Sequence, residues 1–399
     1  MSIKNIKIRD ICEFFTDGDW IESSDQSATG IRLIQTGNIG NGFYKDKETK
    51  AKYISEVTFD RLNCTEVKTG DILISRLPDP IGRACRVPLL TTKSITAVDC
   101  SILRLKSLVD ANYFVFYTQS SSYQKQIEKY INGATRKRIS RGNLAEIEIP
   151  LYPLEKQQRI TTELTYISDI IGKHKELLDK YDALIKSRFI EMFGDPTTNP
   201  MNWDTVNISS LLTVNASNGF FAKRDEYTED GNVEVLGVVN IVNTMYSKID
   251  LLPKTNASEK DIKKYSVKYG DMLFCRSSLV AEGIGKASIV PENINKTILF
   301  ECHVIRLRLD LNKCVPEYMQ MLSTTSFFRN QVLKHAKTST MTTIGQDGIL
   351  KTDVRLPPIE KQKQFLSFIK QIDKSKFAVQ KSLEKAETLY KSLMQEYFG

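Results

Sequence analysis

The stretch PLEKQQR at residues 153–159 returns as PIEKQKQ at residues 358–364, 205 positions further along the chain. A shift of 205 residues aligns 153–194 with 358–399 without a gap, and 13 of the 42 aligned positions are identical. Both blocks close on a phenylalanine and a glycine, Phe193-Gly194 and Phe398-Gly399. A long ungapped match with shared end points indicates that one structural unit is present twice.

The regions that precede the two blocks also correspond, more loosely. IRLIQTGNI at 31–39 matches VEVLGVVNI at 233–241, VKTGDILISR at 67–76 matches VKYGDMLFCR at 267–276, and ILRL after Cys100 matches VIRL after Cys302. The turn-rich GDPTTNPMNW at 194–203 marks a junction. The predicted organisation is a first domain at 1–152, a helix at 153–194, a linker at 195–203, a second domain at 204–357 and a second helix at 358–399.

Apolar residues in the two blocks recur in alternating steps of four and three, which is the heptad period of a coiled-coil seam. The predicted seam consists of Ile160, Leu164, Ile167, Ile171, Leu178, Tyr181, Ile185, Phe365, Ile369, Ile372, Val379, Leu383, Ala386 and Tyr390, with Lys376 as a polar interruption. Two similar helices in one chain can pack antiparallel against each other. The alternative is that each helix packs on its own domain.

The two variable halves contain short apolar or alternating segments separated by turn residues, such as DILISR and SILRL in the first and DMLFCR and HVIRL in the second. Short helical segments lie between them. The predicted fold class is therefore α+β, with two globular domains in a pseudo-twofold repeat and two long helices.

The composition narrows the class of protein. The 399 residues carry a net charge of +8, which fits a polyanionic partner without requiring one. Seven cysteines without a C-x-x-C pair, no signal peptide and no apolar run of about 20 residues predict a cytoplasmic chain with reduced thiols. Three histidines and the lack of a phosphate loop, nucleophile elbow or amino-methyltransferase motif predict no metal site, no bound cofactor and no catalytic residues.

A basic segment, GATRKRISRGN at 133–143, is the strongest sign of a binding function. It predicts either a DNA-contacting loop or an ordinary solvated basic loop. Its counterpart, KTSTMTTIGQD at 337–347, keeps the frame of Thr135 and Ile139 but carries threonines where the first half has arginines. The predicted DNA contacts are Asn38, Arg76, Arg83, Arg136, Lys137, Arg138, Arg141, Lys223, Arg224, Asn240, Arg276, Lys286, Thr340, Thr342 and Thr343.

Two divergent halves, each followed by P-[LI]-E-K-Q and a long heptad helix that ends in Phe-Gly, resemble the specificity subunit of a type I DNA restriction–modification system. The resemblance covers essentially the whole chain. It implies two target recognition domains, separated by an antiparallel coiled coil, that read the two halves of a split site in double-stranded DNA. It also implies that the helices set the spacer length and that the shared PLEKQQR and PIEKQKQ motifs form a face for two methyltransferase subunits.

In such a system the specificity subunit is not catalytic. The methyltransferase subunits use S-adenosylmethionine to methylate adenine, and restriction subunits with ATP and Mg²⁺ cut the DNA. Two other functions are compatible with the sequence: a specificity subunit of a complex that only methylates, and a coiled-coil adaptor whose two domains bind protein or glycan.

Overall fold

The computed structural model describes residues 4–131, 133, 137–338 and 340–399, which form two compact units. Unit 1 comprises Met1–Glu176 and Gln380–Gly399, and unit 2 comprises Leu177–Val379. Each unit therefore contains one variable half of the sequence together with a part of both long helices.

The strands are short. In unit 1 they are β1 (Lys4–Lys7), β2 (Cys12–Asp17), β3 (Gln26–Ser27), β4 (Ile31–Ile34), β5 (Lys52–Ile54), β6 (Ile72–Ser75), β7 (Ala84–Arg86), β8 (Ser94–Thr96), β9 (Cys100–Leu105) and β10 (Glu148–Leu151). In unit 2 they are β11 (Asp204–Asn207), β12 (Ser217–Asn218), β13 (Val233–Leu236), β14 (Lys254–Thr255), β15 (Asp271–Cys275), β16 (Ser277–Ser278), β17 (Ala287–Ile289), β18 (Ile298–Phe300), β19 (Val304–Arg308), β20 (Lys337–Thr338), β21 (Thr342–Thr343) and β22 (Asp353–Leu356).

The α-helices differ strongly in length. In chain order they are α1 (Glu56–Leu62), α2 (Ala111–Tyr117), α3 (Ser121–Lys129), α4 (Arg141–Ala145), α5 (Leu154–Phe193), α6 (Val238–Ile241), α7 (Glu259–Tyr265), α8 (Pro316–Ser323), α9 (Ser326–Lys334), α10 (Gln346–Leu350) and α11 (Ile359–Phe398). The long helices α5 and α11 each have 40 residues, about 60 Å at 1.5 Å per residue.

The two units share one topology. Unit 1 has four-stranded sheets in the orders β2-β9-β6-β7 and β3-β5-β4-β8, and unit 2 repeats them as β12-β19-β15-β17 and the three-stranded β14-β13-β18. In each unit the first strand pairs antiparallel with the strand that leads into the long helix, β1 with β10 and β11 with β22. Unit 2 also contains a small sheet in the order β16-β21-β20.

Parts of the two long helices run antiparallel within each unit. In unit 1 the beginning of α5 and the end of α11 share a core, in which Leu393 and Phe398 pack with Ile160 and Leu164. In unit 2 the end of α5 and the beginning of α11 do the same, since Phe189 contacts Phe365 with ring centroids 5.7 Å apart. The α+β class and the antiparallel helix pair are thus confirmed.

The predicted seam residues all lie in the buried or half-buried part of these helices. Buried are Ile160, Leu164, Ile167, Ile185, Phe365, Ile369, Ile372 and Leu383, and half-buried are Ile171, Leu178, Tyr181, Val379, Ala386 and Tyr390. The same core clusters include side chains of the globular halves, so each helix packs both on a domain and on the other helix. Lys376 is accommodated because its Nζ lies 2.6 Å from Asp182 Oδ1 on α5.

One sequence correspondence is wrong by two residues. In unit 1 Asp71, which is buried, forms a two-bond ion pair with Arg104, with N···O distances of 2.8 Å. In unit 2 Asp271 forms the same pair with Arg308, at 2.6 and 2.8 Å. Arg104 therefore corresponds to Arg308 and not to Arg306, because the match of ILRL with VIRL ignored the strand register that the buried aspartate sets.

In the part of the chain that the structure describes, no helix is long and apolar enough to cross a membrane.

Candidate nucleic-acid interface

The loops at one end of the central sheet of unit 1 are joined into one surface, here called edge 1: residues 16–22, 36–39, 76–83, 97–99 and 137–141. The Gly18 amide donates to Cys100 O (2.8 Å), and the Arg76 amide donates to Asp99 O (2.9 Å). The basic segment is attached at two points. The Ile139 amide donates to Arg76 O (3.2 Å), and Arg141 Nη1 lies 3.3 Å from Thr16 Oγ1.

Unit 2 builds the equivalent surface, here called edge 2, from residues 219–224, 237–240, 276–280, 301–303 and 340–344. The Gly219 amide donates to Val304 O (3.2 Å), and the Arg276 amide donates to His303 O (2.9 Å). The Ile344 amide donates to Arg276 O (3.0 Å), as Ile139 does to Arg76 in unit 1. The two edges thus share a backbone scaffold and differ in side chains.

Seven predicted contact residues are exposed on these edges. They are Lys137, Arg138 and Arg141 on edge 1, and Lys223, Arg224, Thr340 and Thr343 on edge 2. Edge 2 presents its threonines on the hairpin β20–β21, and β21 pairs with β16 directly after Arg276. Arg136 and Thr135 lie outside the described residues.

Three predicted contact residues are buried, and each has an internal role that the sequence did not predict. Arg83 is 7% exposed and donates to four carbonyls, those of Thr36, Ile39, Leu77 and Pro80, at 2.8–3.1 Å. The other two are Asn38, which accepts from the Gln35 amide and donates to Lys45 O, and Thr342, which hydrogen-bonds Thr338. Arg83 and Asn38 thus hold the loops of edge 1 together. Burial lowers the pKa of the Arg83 guanidinium from its usual value.

The remaining predicted residues are half-buried. Arg76 Nη2 donates to Val98 O and Arg276 Nη1 donates to Cys302 O, so each arginine braces its own edge. Asn240 Oδ1 accepts from the Gly237 amide, a turn like that of Asn38. Lys286 Nζ donates to Asn243 Oδ1 at 2.7 Å and lines a cavity of about 420 Å³ that Asp182 and Arg329 also line.

Two aspartates near the start of edge 1 are ion-paired and a third accepts a backbone hydrogen bond, whereas Glu22 and Asp79 on the same edge are exposed. Asp17 Oδ1 lies 3.5 Å from Arg76 Nε and accepts from Ser101 Oγ, while Asp25 pairs with Arg61. Asp19 accepts from the Thr65 amide, and burial raises the pKa of its carboxyl group.

The repeated motif has an explanation that sequence reasoning missed. Gln157 is fully buried; its Nε2 donates to Tyr152 O (2.7 Å) and Leu108 O (3.0 Å), and its Oε1 accepts from the Asp110 amide (2.9 Å). Gln362 makes the same three bonds in unit 2, to Pro357 O, Lys313 O and the Val315 amide. The glutamine therefore fixes the helix entry to its own domain and is not part of an exposed face.

The lysine of the motif is also used internally. Lys156 Nζ lies 4.0 Å from the ring centroid of Tyr152, and Lys361 Nζ lies 5.1 Å from that of Trp203. Only Glu155 and Glu360 of the shared P-x-E-K-Q core remain exposed along with the leading prolines. The prediction that the whole motif forms a face for partner subunits is therefore wrong for its lysine and glutamine, which contact their own domain.

No group of three or more His, Cys, Asp or Glu side chains that could hold a metal ion occurs among residues 4–131, 133, 137–338 and 340–399.

The comparisons with known proteins identify the class. The family model described as "Type I restriction modification DNA specificity domain" matches residues 2–180 and again residues 200–387, so the chain belongs to this family. The two matches follow the internal repeat.

Individual relatives are distant but extend over most of the chain. The type I restriction enzyme EcoKI specificity subunit of Escherichia coli strain K12 is 22% identical over 392 residues, 92% of this chain and 82% of the relative. The type I restriction enzyme MjaVIII specificity subunit of Methanocaldococcus jannaschii is 23% identical over 322 residues, 76% of this chain and 73% of the relative.

Solved structures show the same fold. The type I restriction–modification S subunit from M. genitalium superposes with a TM-score of 0.58 at 12% identity, covering 100% of this chain and 96% of that one. A chain from work on complex assembly and conformational transition of the type I R-M system gives a TM-score of 0.58 at 14% identity, with 99% and 97% covered.

Proposed function

We propose that this chain is the non-catalytic DNA-recognition subunit of a type I restriction–modification complex acting in the cytoplasm. Residues 1–152 and 204–357 are its two target recognition domains, joined through the linker at 195–203, and each reads one half of a split site in double-stranded DNA. Methylation and cleavage are carried out by partner methyltransferase and restriction subunits, which bring S-adenosylmethionine, ATP and Mg²⁺.

The observation that carries this proposal is the pair of matched edges. Edge 1 and edge 2 are joined by corresponding hydrogen bonds, yet the segment before Ile139 exposes Lys137 and Arg138, whereas the matching segment before Ile344 exposes threonine. A common scaffold with different exposed donors is what two readers of different base sequences require. Membership of the DNA-specificity family supports the same conclusion.

The proposed DNA contacts are the exposed members of the predicted set, namely Lys137, Arg138, Arg141, Lys223, Arg224, Thr340 and Thr343. Arg76, Arg83, Arg276, Asn38 and Asn240 position the loops that present them. The long helices set the distance between the two half-sites. Lengthening both helices by one turn would add about 5.4 Å to that distance. The repeated fold provides two similar docking faces for two copies of the methyltransferase subunit.

The direct test is a footprint of the complex of this chain with its methyltransferase subunits. We expect two protected segments separated by an unread spacer, and a steep loss of affinity as salt is raised, because phosphate contacts release counterions. A single continuous protected segment, or binding that salt does not weaken, would show that the proposed function is wrong.

Replacing Lys223 and Arg224 together by alanine is expected to weaken binding of the complex to DNA of any sequence. The slope of log K against log salt concentration should fall in magnitude by about 2, one for each lost phosphate contact. The matched control removes Lys268 and Lys313, two exposed lysines at the other end of strand β15. The control should leave the slope unchanged. Equal effects from both pairs would assign the loss to net charge and not to edge 2.

Cys302 offers an independent reporter of edge 2. It is half-buried, whereas the other six cysteines are buried and burial raises the pKa of the Cys85 and Cys100 thiols to about 12. Burial also raises the pKa of Cys302, but less solvent is excluded there, so iodoacetamide at about pH 8 should modify it first.

Bound cognate DNA is expected to slow this alkylation several-fold, because the Cys302 carbonyl accepts from Arg276 within edge 2. The rate is measured by mass spectrometry of the complex, with a duplex whose second half-site is scrambled as the control. An unchanged alkylation rate with cognate DNA would show that edge 2 is not part of the DNA interface.

A further inference from the structure

Trp20 and Phe221 are exposed aromatic residues at matching places in the two units. Trp20 is 69% exposed and Phe221 is 68% exposed. Single exposed apolar residues are ordinary on protein surfaces. A large exposed ring at the same position of two otherwise divergent domains is less easily attributed to chance.

The match rests on the backbone and not on the sequence. Trp20 and Phe221 each lie two residues after a glycine, Gly18 and Gly219, whose amides donate to the first residues of β9 and β19. A Cβ atom on Gly18 would lie 2.3 Å from Thr96 O, and one on Gly219 would lie 2.2 Å from Glu301 O. Only glycine permits this close approach, so each unit presents its aromatic residue from a loop pressed against the same point of the sheet.

Both rings lie on the edges that carry the exposed cations. Phe221 is followed almost directly by Lys223 and Arg224, which are exposed. On edge 1, Arg141 reaches Thr16, four residues before Trp20, and so brings the basic segment next to the aromatic loop. An aromatic face flanked by lysine and arginine is the combination that binds nucleic acid through base contact and phosphate attraction together.

We propose that Trp20 and Phe221 are equivalent aromatic contacts, one in each half-site, that insert against a base step of the bound DNA while the neighbouring cations hold the phosphates. This inference rests on the proposed function and deepens it. The insertion of an apolar side chain at a base step partly unstacks the step and adds contact area that neither lysine nor arginine supplies. The indole Nε1 of Trp20 donates to Glu22 Oε1 at 3.3 Å.

The test uses the complex of the full chain with its methyltransferase subunits and its cognate duplex. Trp20→Ala and Phe221→Ala are each expected to weaken binding roughly 5- to 150-fold, the range for removing an aromatic side chain that stacks on a base. Trp20→Phe and Phe221→Trp should restore most of the affinity. Leu89→Ala and Leu311→Ala are the matched controls, since both leucines are exposed and lie at the opposite end of the central sheets.

A half-site cycle assigns each ring to its own half. The effect of Trp20→Ala should vanish on a duplex with the first half-site scrambled and persist with the second scrambled, and Phe221→Ala should show the reverse. 2-Aminopurine placed in the matching half-site should brighten on binding of the unsubstituted complex and stay dim with the alanine variant.

Three results would overturn this inference. The first is that the alanine variants bind DNA within twofold of the unsubstituted complex. The second is that size-exclusion chromatography shows the alanine variants failing to assemble with the methyltransferase subunits, so that the weaker DNA binding has another cause. The third is that the leucine controls weaken binding as much as the aromatic substitutions do. In each case the proposed function would still hold if the unsubstituted complex binds a split site. If the unsubstituted complex binds no split site, both the proposed function and this inference are wrong.

Discussion

Replacing Phe398 by alanine is expected to destabilise unit 1 by about 3–5 kcal/mol, the cost of removing a buried phenylalanine ring. Phe398 is 5% exposed, and its ring centroid lies 5.3 Å from that of Tyr113 and 5.7 Å from that of Tyr117. The next residue is also held, since Ser121 Oγ donates to Gly399 O at 3.1 Å. The last turn of α11 is therefore part of the core of the first globular half.

Hydrogen exchange measured by mass spectrometry can locate this loss, which a single melting temperature of a two-unit chain cannot. Phe398→Ala should reduce protection of α2 and α3 in unit 1 and leave α8 and α9 in unit 2 unchanged. Phe193→Ala should do the reverse, because the Phe193 ring packs 4.8 Å from Tyr318.

Phe377→Ala is the matched control, because this phenylalanine lies on the same helix as Phe398 and is 72% exposed. It should change protection in neither unit. Unaltered protection of α2 in Phe398→Ala would show that the end of α11 does not stabilise the first half.

Replacing Gln157 by leucine is expected to cost about 3 kcal/mol or more and to loosen the start of α5. Leucine fills nearly the same volume but leaves the Tyr152 and Leu108 carbonyls and the Asp110 amide without this partner, and each unpaired buried polar group costs about 1–3 kcal/mol. Gln362→Leu should have the same effect on the start of α11.

The neighbouring glutamines provide controls of the same chemistry. Gln158→Leu and Gln364→Leu change exposed side chains and should alter stability by less than about 0.5 kcal/mol. The readout is exchange of the amides at residues 108–113 and 313–318, together with assembly with methyltransferase subunits. If Gln157→Leu abolished assembly while these amides kept their protection, the buried hydrogen bonds would not explain the repeated motif.

The sequence could predict the helices because their signal is local and periodic. Ile160, Leu164 and Ile185 recur at a spacing that only one face of a helix can satisfy, so the buried face follows from the order of residues alone. The exposed basic residues Lys137 and Arg138 could also be found, since a run of cations with glycine and asparagine indicates a surface loop. Their proposed DNA contacts remain predictions.

The roles of Arg83 and Gln157 could not be predicted, because their partners are carbonyls distant in sequence. Arg83 bonds Thr36 and Ile39 more than 40 residues away, and Gln157 bonds Leu108 at a separation of 49. An arginine in a loop and a glutamine in a helix both look exposed until the chain is folded. The register of Arg104 could not be predicted for the same reason, since Asp71 is distant in sequence and directly precedes another strand, β6.

By itself the sequence determined the repeat, the α+β class, the two long helices and their buried faces, because these depend on spacing along one chain. Only the tertiary structure decided which polar residues brace the loops and which remain free, and where Trp20 and Phe221 stand relative to the cations. The physical reason is that a polar side chain is satisfied equally well by water or by a buried carbonyl, and only the folded backbone determines which of the two it meets.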